Sequence, residues 1–159
     1  MTRDPKPFPV LQTRFDEIQG QFSPDGRWLA YASNETGRNE IYVQTFPETS
    51  GKWQISVAGG LQPRWRRDGQ ELFYVAPDNR LMAAPIHVAP GTRALEASAP
   101  VALFQTKLAS GPNIVAAGFQ ARAQYAVAAD GRFLMNLSAD EGVISPITIV
   151  QNWQAGLKK

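Results

Sequence analysis

The chain contains no cysteine and a single histidine, His87, in 159 residues. Without a thiol there is no disulfide, no thiolate metal site and no cysteine nucleophile. One imidazole and no clustered carboxylates offer no donor set for a transition metal, and no cofactor is expected. A hydrolase triad would have to use His87, yet no G-x-S-x-G turn is present to carry a nucleophile. His87 falls near the end of a predicted strand and reads as a surface or packing residue. Neither G-x-G-x-x-G nor a P-loop lysine occurs, so nucleotide chemistry has no support. The net charge is only +2 and does not require a nucleic-acid partner. No run approaches the roughly 18 apolar residues of a membrane helix, and Met1 to Pro7 leads into no apolar stretch. With neither a span nor a signal peptide visible, the chain as it stands is expected in the cytoplasm. Helical periodicity is missing too: no helix-length window repeats its apolar residues every 3.6 positions.

What is present is a repeated turn followed by a strand. Phe22-Ser23-Pro24-Asp25-Gly26-Arg27 is followed by Trp28 to Ser33, too short and too apolar on both faces for anything but a buried strand. Pro24 presets φ at the first central turn position, Asp25 can bond its own backbone, and Gly26 accepts positive φ. Arg66-Arg67-Asp68-Gly69 before Glu71 to Ala76, and Ala128-Ala129-Asp130-Gly131 before Arg132 to Ser138, repeat the arrangement. Aligning the three aspartates aligns the three glycines and then Leu29, Leu72 and Leu134. Asp25 and Asp68 lie 43 residues apart, the length of one four-stranded propeller blade. Asp68 and Asp130 lie 62 apart, which places an insertion within 88–123. The twelve prolines and thirteen glycines suit many short strands joined by turns. The hydrophobic share of 43% is that of an ordinary globular domain with a core.

The chain therefore reads as a single all-β domain of about three four-stranded β-propeller blades, half of a propeller. In the first, 14–60, strands run over Gln19 to Phe22, Trp28 to Ser33, Glu40 to Phe46 and Lys52 to Val57, and Gly59-Gly60 marks the crossing. The second, 61–107, uses Gln62 to Arg66, Glu71 to Ala76, Leu81 to Val88 and Val101 to Thr106. An extended connection over Leu108 to Ala123 leads to the third, 119–153, with strands at Gln124 to Ala128, Arg132 to Ser138 and Pro146 to Trp153 but no fourth. Phe8 to Thr13 precedes the first blade as a spare outer strand, an edge position where Pro9 is tolerated. The spare and missing strands match, which predicts a homodimer of six blades in which 8–13 of each copy completes the third blade of the other.

Phe22 to Tyr31, with its spacing to Ile41-Tyr42-Val43, resembles the PD40 repeat, the WD40-like unit of TolB-type propellers. Trp53-Gln54-Ile55-Ser56, Gly59-Gly60, Gln62 to Gly69 and Glu71 to Tyr74 resemble the C-terminal propellers of bacterial proteins linked to serine/threonine kinases, and Pro146 to Lys159 resembles the end of such chains. The resemblance implies a β-propeller and a protein-binding or sensory role. It departs in having no kinase domain, in having too few units for a ring of six, and in Arg66-Arg67 and Ala128-Ala129 replacing Ser-Pro before Asp-Gly. Ser23 to Trp28 is one residue short of the Asp-box of sialidase-like propellers, itself a structural element.

Asp25, Asp68 and Asp130, with Gly26, Gly69 and Gly131, read as turn formers, since a catalytic carboxylate is rarely needed three times. Arg64-Trp65-Arg66-Arg67 is the one dense basic cluster. In a strand Arg64 and Arg66 share one face and Trp65 and Arg67 the other. The plainer and favoured reading is that Trp65 packs between blades and the arginines decorate a rim or pair with acids; if the propeller has a partner, this segment is the candidate binding site. The tryptophans Trp28, Trp53, Trp65 and Trp153 read as packing between blades. The expected function is non-enzymatic binding of a protein or peptide. The alternative is an accessory or gating propeller of a prolyl-oligopeptidase-like hydrolase whose catalytic domain is absent.

Overall fold

The structure, a computed structural model, describes residues 6–89, 92, 94–108 and 123–138, and the backbone of 148–150. The expected connection over 109–122, the beginning of the third blade and the residues beyond Val150, including Trp153, lie outside the described residues. Those described are all-β, without helix. Twelve strands, β1 to β12, form antiparallel sheets of the propeller-blade kind.

The first blade is a meander of β1 (Glu17–Phe22), β2 (Trp28–Ser33), β3 (Glu40–Thr45) and β4 (Lys52–Gln54). β2 and β3 are buried throughout because each face meets a different core. Trp28, Ala30, Ala32, Ile41 and Val43 face the second blade, whereas Leu29, Tyr31 and Tyr42 form a separate cluster on the other side. The second blade contains β5 (Leu61–Trp65), β6 (Glu71–Val75) and β7 (Arg80–Val88), with β9 (Val101–Gln105) as its outer strand. β6 divides in the same way: Leu72 and Tyr74 join the first blade's core, and Phe73 and Val75 join the third's. The third blade contains β10 (Tyr125–Val127), β11 (Phe133–Met135) and β12 (Thr148–Val150). Its Phe133 ring meets Phe73 edge-on at 4.9 Å, a favoured aromatic geometry.

Four features differ from the sequence reading. Phe8 to Thr13 forms no strand. Its Val10 and Leu11 pack on Leu29, Tyr31 and Tyr42 of the same chain, because that apolar face of the first blade is otherwise uncovered. The exchange expected for this segment would require it to give up that packing. β8 (Leu95–Ala97), where the sequence reading places no strand, pairs with the far end of β7 through Ile86↔Ala97 and Val88↔Leu95. β7 is nine residues long and its end outruns β6. Third, Leu134 does not occupy the place of Leu72. In the first two hairpins Ser23 N–H bonds Trp28 O and Arg66 N–H bonds Glu71 O, but in the third Ala128 N–H bonds Arg132 O, one residue earlier. A one-residue slip reverses every side chain. Phe133 and Met135 therefore point inward, and Leu134 is 45% exposed.

The fourth feature is a repeat of glutamines not read from the sequence. Gln19 and Gln62 stand at bulges of β1 and β5 with φ of 60° and 59°. Gln62 N–H donates to Gln19 Oε1 at 2.6 Å, and Gln124 N–H donates to Gln62 Oε1 at 2.7 Å. Each blade's inner strand thus holds the next. At the crossing between the first two blades the buried Glu40 carboxylate accepts from Ser56 Oγ, from Gly59 N–H at 2.9 Å and from Arg38 Nε at 2.7 Å. Gly60 is needed there because a Cβ would stand 2.7 Å from Ile41 and 2.9 Å from Tyr74.

Two outcomes follow for stability. A Cβ at Gly26 meets open space and one at Gly69 only an ordinary contact with Pro24 at 3.9 Å, with φ of 69° and 73°, so only backbone strain opposes Gly26→Ala and Gly69→Ala. Each is expected to cost about 1 kcal/mol in urea unfolding, and no loss in either would remove the turn argument. Gln62→Ala leaves the Gln124 N–H buried without its acceptor and is expected to cost about 1–3 kcal/mol. Gln21→Ala, in β1, whose side chain bonds only the neighbouring Gly20 carbonyl among the described residues, serves as a control with little effect.

Candidate functional site

The turns of the first two blades lie side by side. With the end of β7 they enclose a cleft of about 930 Å³, bounded by segments within 23–28, 65–70 and 85–89 and by Ser98. In the first turn Asp25 Oδ1 accepts from Arg27 N–H at 3.1 Å and from Ser23 Oγ at 2.6 Å, and Ser23 Oγ accepts from Trp28 N–H at 3.0 Å. In the second, Asp68 Oδ1 accepts from Gln70 N–H at 3.0 Å, and Arg66 occupies the place of Ser23 in the repeat. Its guanidinium bonds Asp68 at 2.7–2.8 Å and Glu71 at 2.6 Å. The replacement of Ser-Pro by Arg-Arg therefore preserves the turn with a charged donor. In the third turn, away from the cleft, Asp130 accepts from the N–H and Nε of Arg132.

These bonds hold the carboxylates ionised. Asp68 is lowered from its ordinary range chiefly by the Arg66 hydrogen bond. At Asp25 partial burial opposes ionisation, but the Ser23 hydroxyl and the Arg27 N–H together outweigh it. Asp130 is lowered mainly by the Arg132 N–H.

The basic segment Arg64-Trp65-Arg66-Arg67 does not converge on one patch. Trp65, at the end of β5, and Arg67, in the turn after it, line the cleft. Trp65 donates Nε1–H to Gln21 O at 3.2 Å, across the blade junction. Arg64 bonds the Pro63 carbonyl, and Arg66 is taken up by Asp68 and Glu71. His87, read as a surface residue, is exposed but stands on the cleft. Arg27, Gln70 and Ser98 also line it and were missed. Arg27 and Gln70 share the position two residues after the turn aspartate, which is the signal that would have found them. Ser98 follows β8, which has no such mark. Trp28 and Trp53 pack edge-on at 5.6 Å in the core. Among the described residues no group of three or more His, Cys, Asp or Glu could hold a metal ion, and no helix is long and apolar enough to cross a membrane.

No family model matches the chain, and no curated protein is significantly similar. Among solved structures it is similar to oligogalacturonate lyase from Vibrio parahaemolyticus, at 16% identity and a TM-score of 0.49 over 79% of this chain and 32% of that one. It is also similar to TolB from Acinetobacter baumannii, at 20% identity and a TM-score of 0.44 over 88% of this chain and 42% of that one. The chain spans less than half the length of either.

Arg66→Ala removes the main cause of the low Asp68 pKa. A carboxyl NMR titration is expected to show Asp68 moving up toward the ordinary carboxylate range, with Asp25 unchanged. Because the folded pKa is depressed, the stability that Asp68 contributes is present above the unfolded-state pKa and lost as pH falls through the folded one. The variant should therefore lose stability at neutral pH and show a shallower acid dependence below it. An unmoved Asp68 would sink the assignment.

Proposed function

We propose that the protein is a non-catalytic binding module of the TolB-type propeller kind, holding a protein or peptide segment in the cleft between its first two blades. The observation that carries this reading is the lining of the cleft. Trp65 presents its ring there with its indole N–H already bonded, Arg67 and His87 present polar ends beside it, and the nearby carboxylates of Asp25 and Asp68 are tied into turns. An open cleft with an aromatic wall and a few polar groups is a recognition surface. Carboxylates bonded to backbone N–H groups and to arginine are poor proton acceptors at neutral pH. The PD40-like repeats are in keeping with a bacterial module of this kind.

A peptide library displayed on phage and selected on the immobilised full chain is expected to enrich peptides that lose binding to Gln70→Trp and Ser98→Trp. Both positions are exposed on the cleft, so the new side chains fill it. The enriched peptides should be recovered intact by mass spectrometry. Cleaved peptides, or binding indifferent to both variants, would overturn the proposal.

A further inference from the structure

The charges around the cleft are not alike in how they are engaged. Asp68 is bound by the guanidinium of Arg66, at 2.7 and 2.8 Å, as well as by Gln70 N–H. Asp25 is bound by Ser23 Oγ and Arg27 N–H, with the Arg27 guanidinium at 3.7 Å and also reaching Thr92 O at 3.3 Å. Arg67 precedes Asp68 in the second turn and lines the same cleft, exposed, with no ion pair or hydrogen bond from its side chain to any described residue. The cleft is also lined by Trp65, by the apolar Pro85 and Val88, and by the exposed His87.

We infer that the ligand of this cleft is a peptide segment carrying a single carboxylate next to an apolar residue, the carboxylate meeting the Arg67 guanidinium and the apolar group lying on Trp65. The inference rests on the binding reading above and adds the chemistry of what is bound. A guanidinium is suited to a carboxylate because its planar fork matches the two oxygens. The pattern also limits the charge. Asp25 and Asp68 stay ionised on the rim, so one anionic group finds a free cation while a second meets a carboxylate. A polyanion such as a nucleic acid is therefore disfavoured, and the cleft selects one negative charge.

The test uses the full chain and three fluorescein-labelled probes: a short Leu/Phe-containing peptide with one Glu, its Gln counterpart, and an oligothymidylate. Anisotropy is expected to show the Glu peptide binding about five-fold tighter than the Gln peptide, the scale of one partly exposed charge pair. That preference should fall with added salt and vanish in Arg67→Gln, whose circular dichroism should match the parent's. Equal binding of the Glu and Gln peptides, both lost in Ser98→Trp, would overturn the charge assignment and leave the binding cleft standing. Oligothymidylate binding more tightly than the Glu peptide would overturn it in favour of a nucleic-acid surface. Binding of none of the probes, in a chain that phage selection shows to hold other peptides, would overturn it as well. If the selection also fails, the binding reading itself falls.

Discussion

A β-bulge leaves a backbone N–H without a partner on the neighbouring strand, and burial makes that vacancy expensive. In this protein the vacancy at the β5 bulge is filled from the adjacent blade, where Gln19 reaches Gln62, and Gln62 in turn reaches the Gln124 N–H. The bond is short-range and directional, so it fixes how one inner strand sits against the next. Much else follows from that placement. With the inner strands held, the inward face of each sheet meets the outward face of the one before. Trp28 and Ala30 then find Leu72 and Tyr74, and Phe73 finds Phe133. Tyr125 Oη–H adds a second tie by donating to Gln62 O at 2.8 Å. Glu40 adds a tie at the crossing between the first two blades, where its buried charge is tolerated because Arg38, Ser56 and Gly59 N–H surround it.

The cleft is a consequence of the same stacking. Equivalent turns of successive blades come side by side, so whatever those turns carry faces a common space. Turn formation claims the aspartates and one residue before each of them. The position after that, Pro24 in the first unit and Arg67 in the second, is left to face outward. A chemistry-bearing side chain thus appears in the second unit at a position where the turn uses only the backbone, Pro24 serving the first unit through its φ alone. The long β7 closes the third side, and its pairing with β8 carries Pro85 to Val88 beyond the blade to form that wall.

Much of this fold was legible in the residues. Turn chemistry at Asp25 and Asp68, the two-sided apolar strands after them and the 43-residue interval together specify blades. The glutamines were equally regular, six residues before each aspartate, but glutamine has no strong local preference, and only the assembled blades show why it is there. β8 was hidden for a related reason: a three-residue strand in an Ala- and Pro-rich segment has no pattern of its own and exists because β7 offers an edge. Phe8 to Thr13 has strand-like alternation, yet an extended segment is a strand only where it finds hydrogen-bonding partners. Val10 and Leu11 found an apolar face instead. In the basic cluster the pairing of Arg66 with acids accords with the plainer reading of these arginines, and the hairpin is what brings Glu71 to it.

The third blade separates two determinants that coincide in the first two. Its turn keeps Asp130, Gly131 at φ 83° and the bond to the N–H two residues on, so by local criteria it is the same turn. Its hairpin nevertheless closes one residue earlier, and the strand after it presents the opposite set of side chains. The difference lies in the side chains that follow. Leu72 and Tyr74 are the large residues that suit the inward face in the second blade, whereas in the third Phe133 and Met135 are one position earlier. Burying Phe133 against Phe73 and Phe104 removes far more apolar surface from water than burying Leu134 and Asn136 would. Strand register here is therefore set by which alternate residues the neighbouring blade can bury, and the Asp-Gly turn accommodates the result. A repeat aligned on its turns alone places its core residues correctly only where that apolar pattern keeps step.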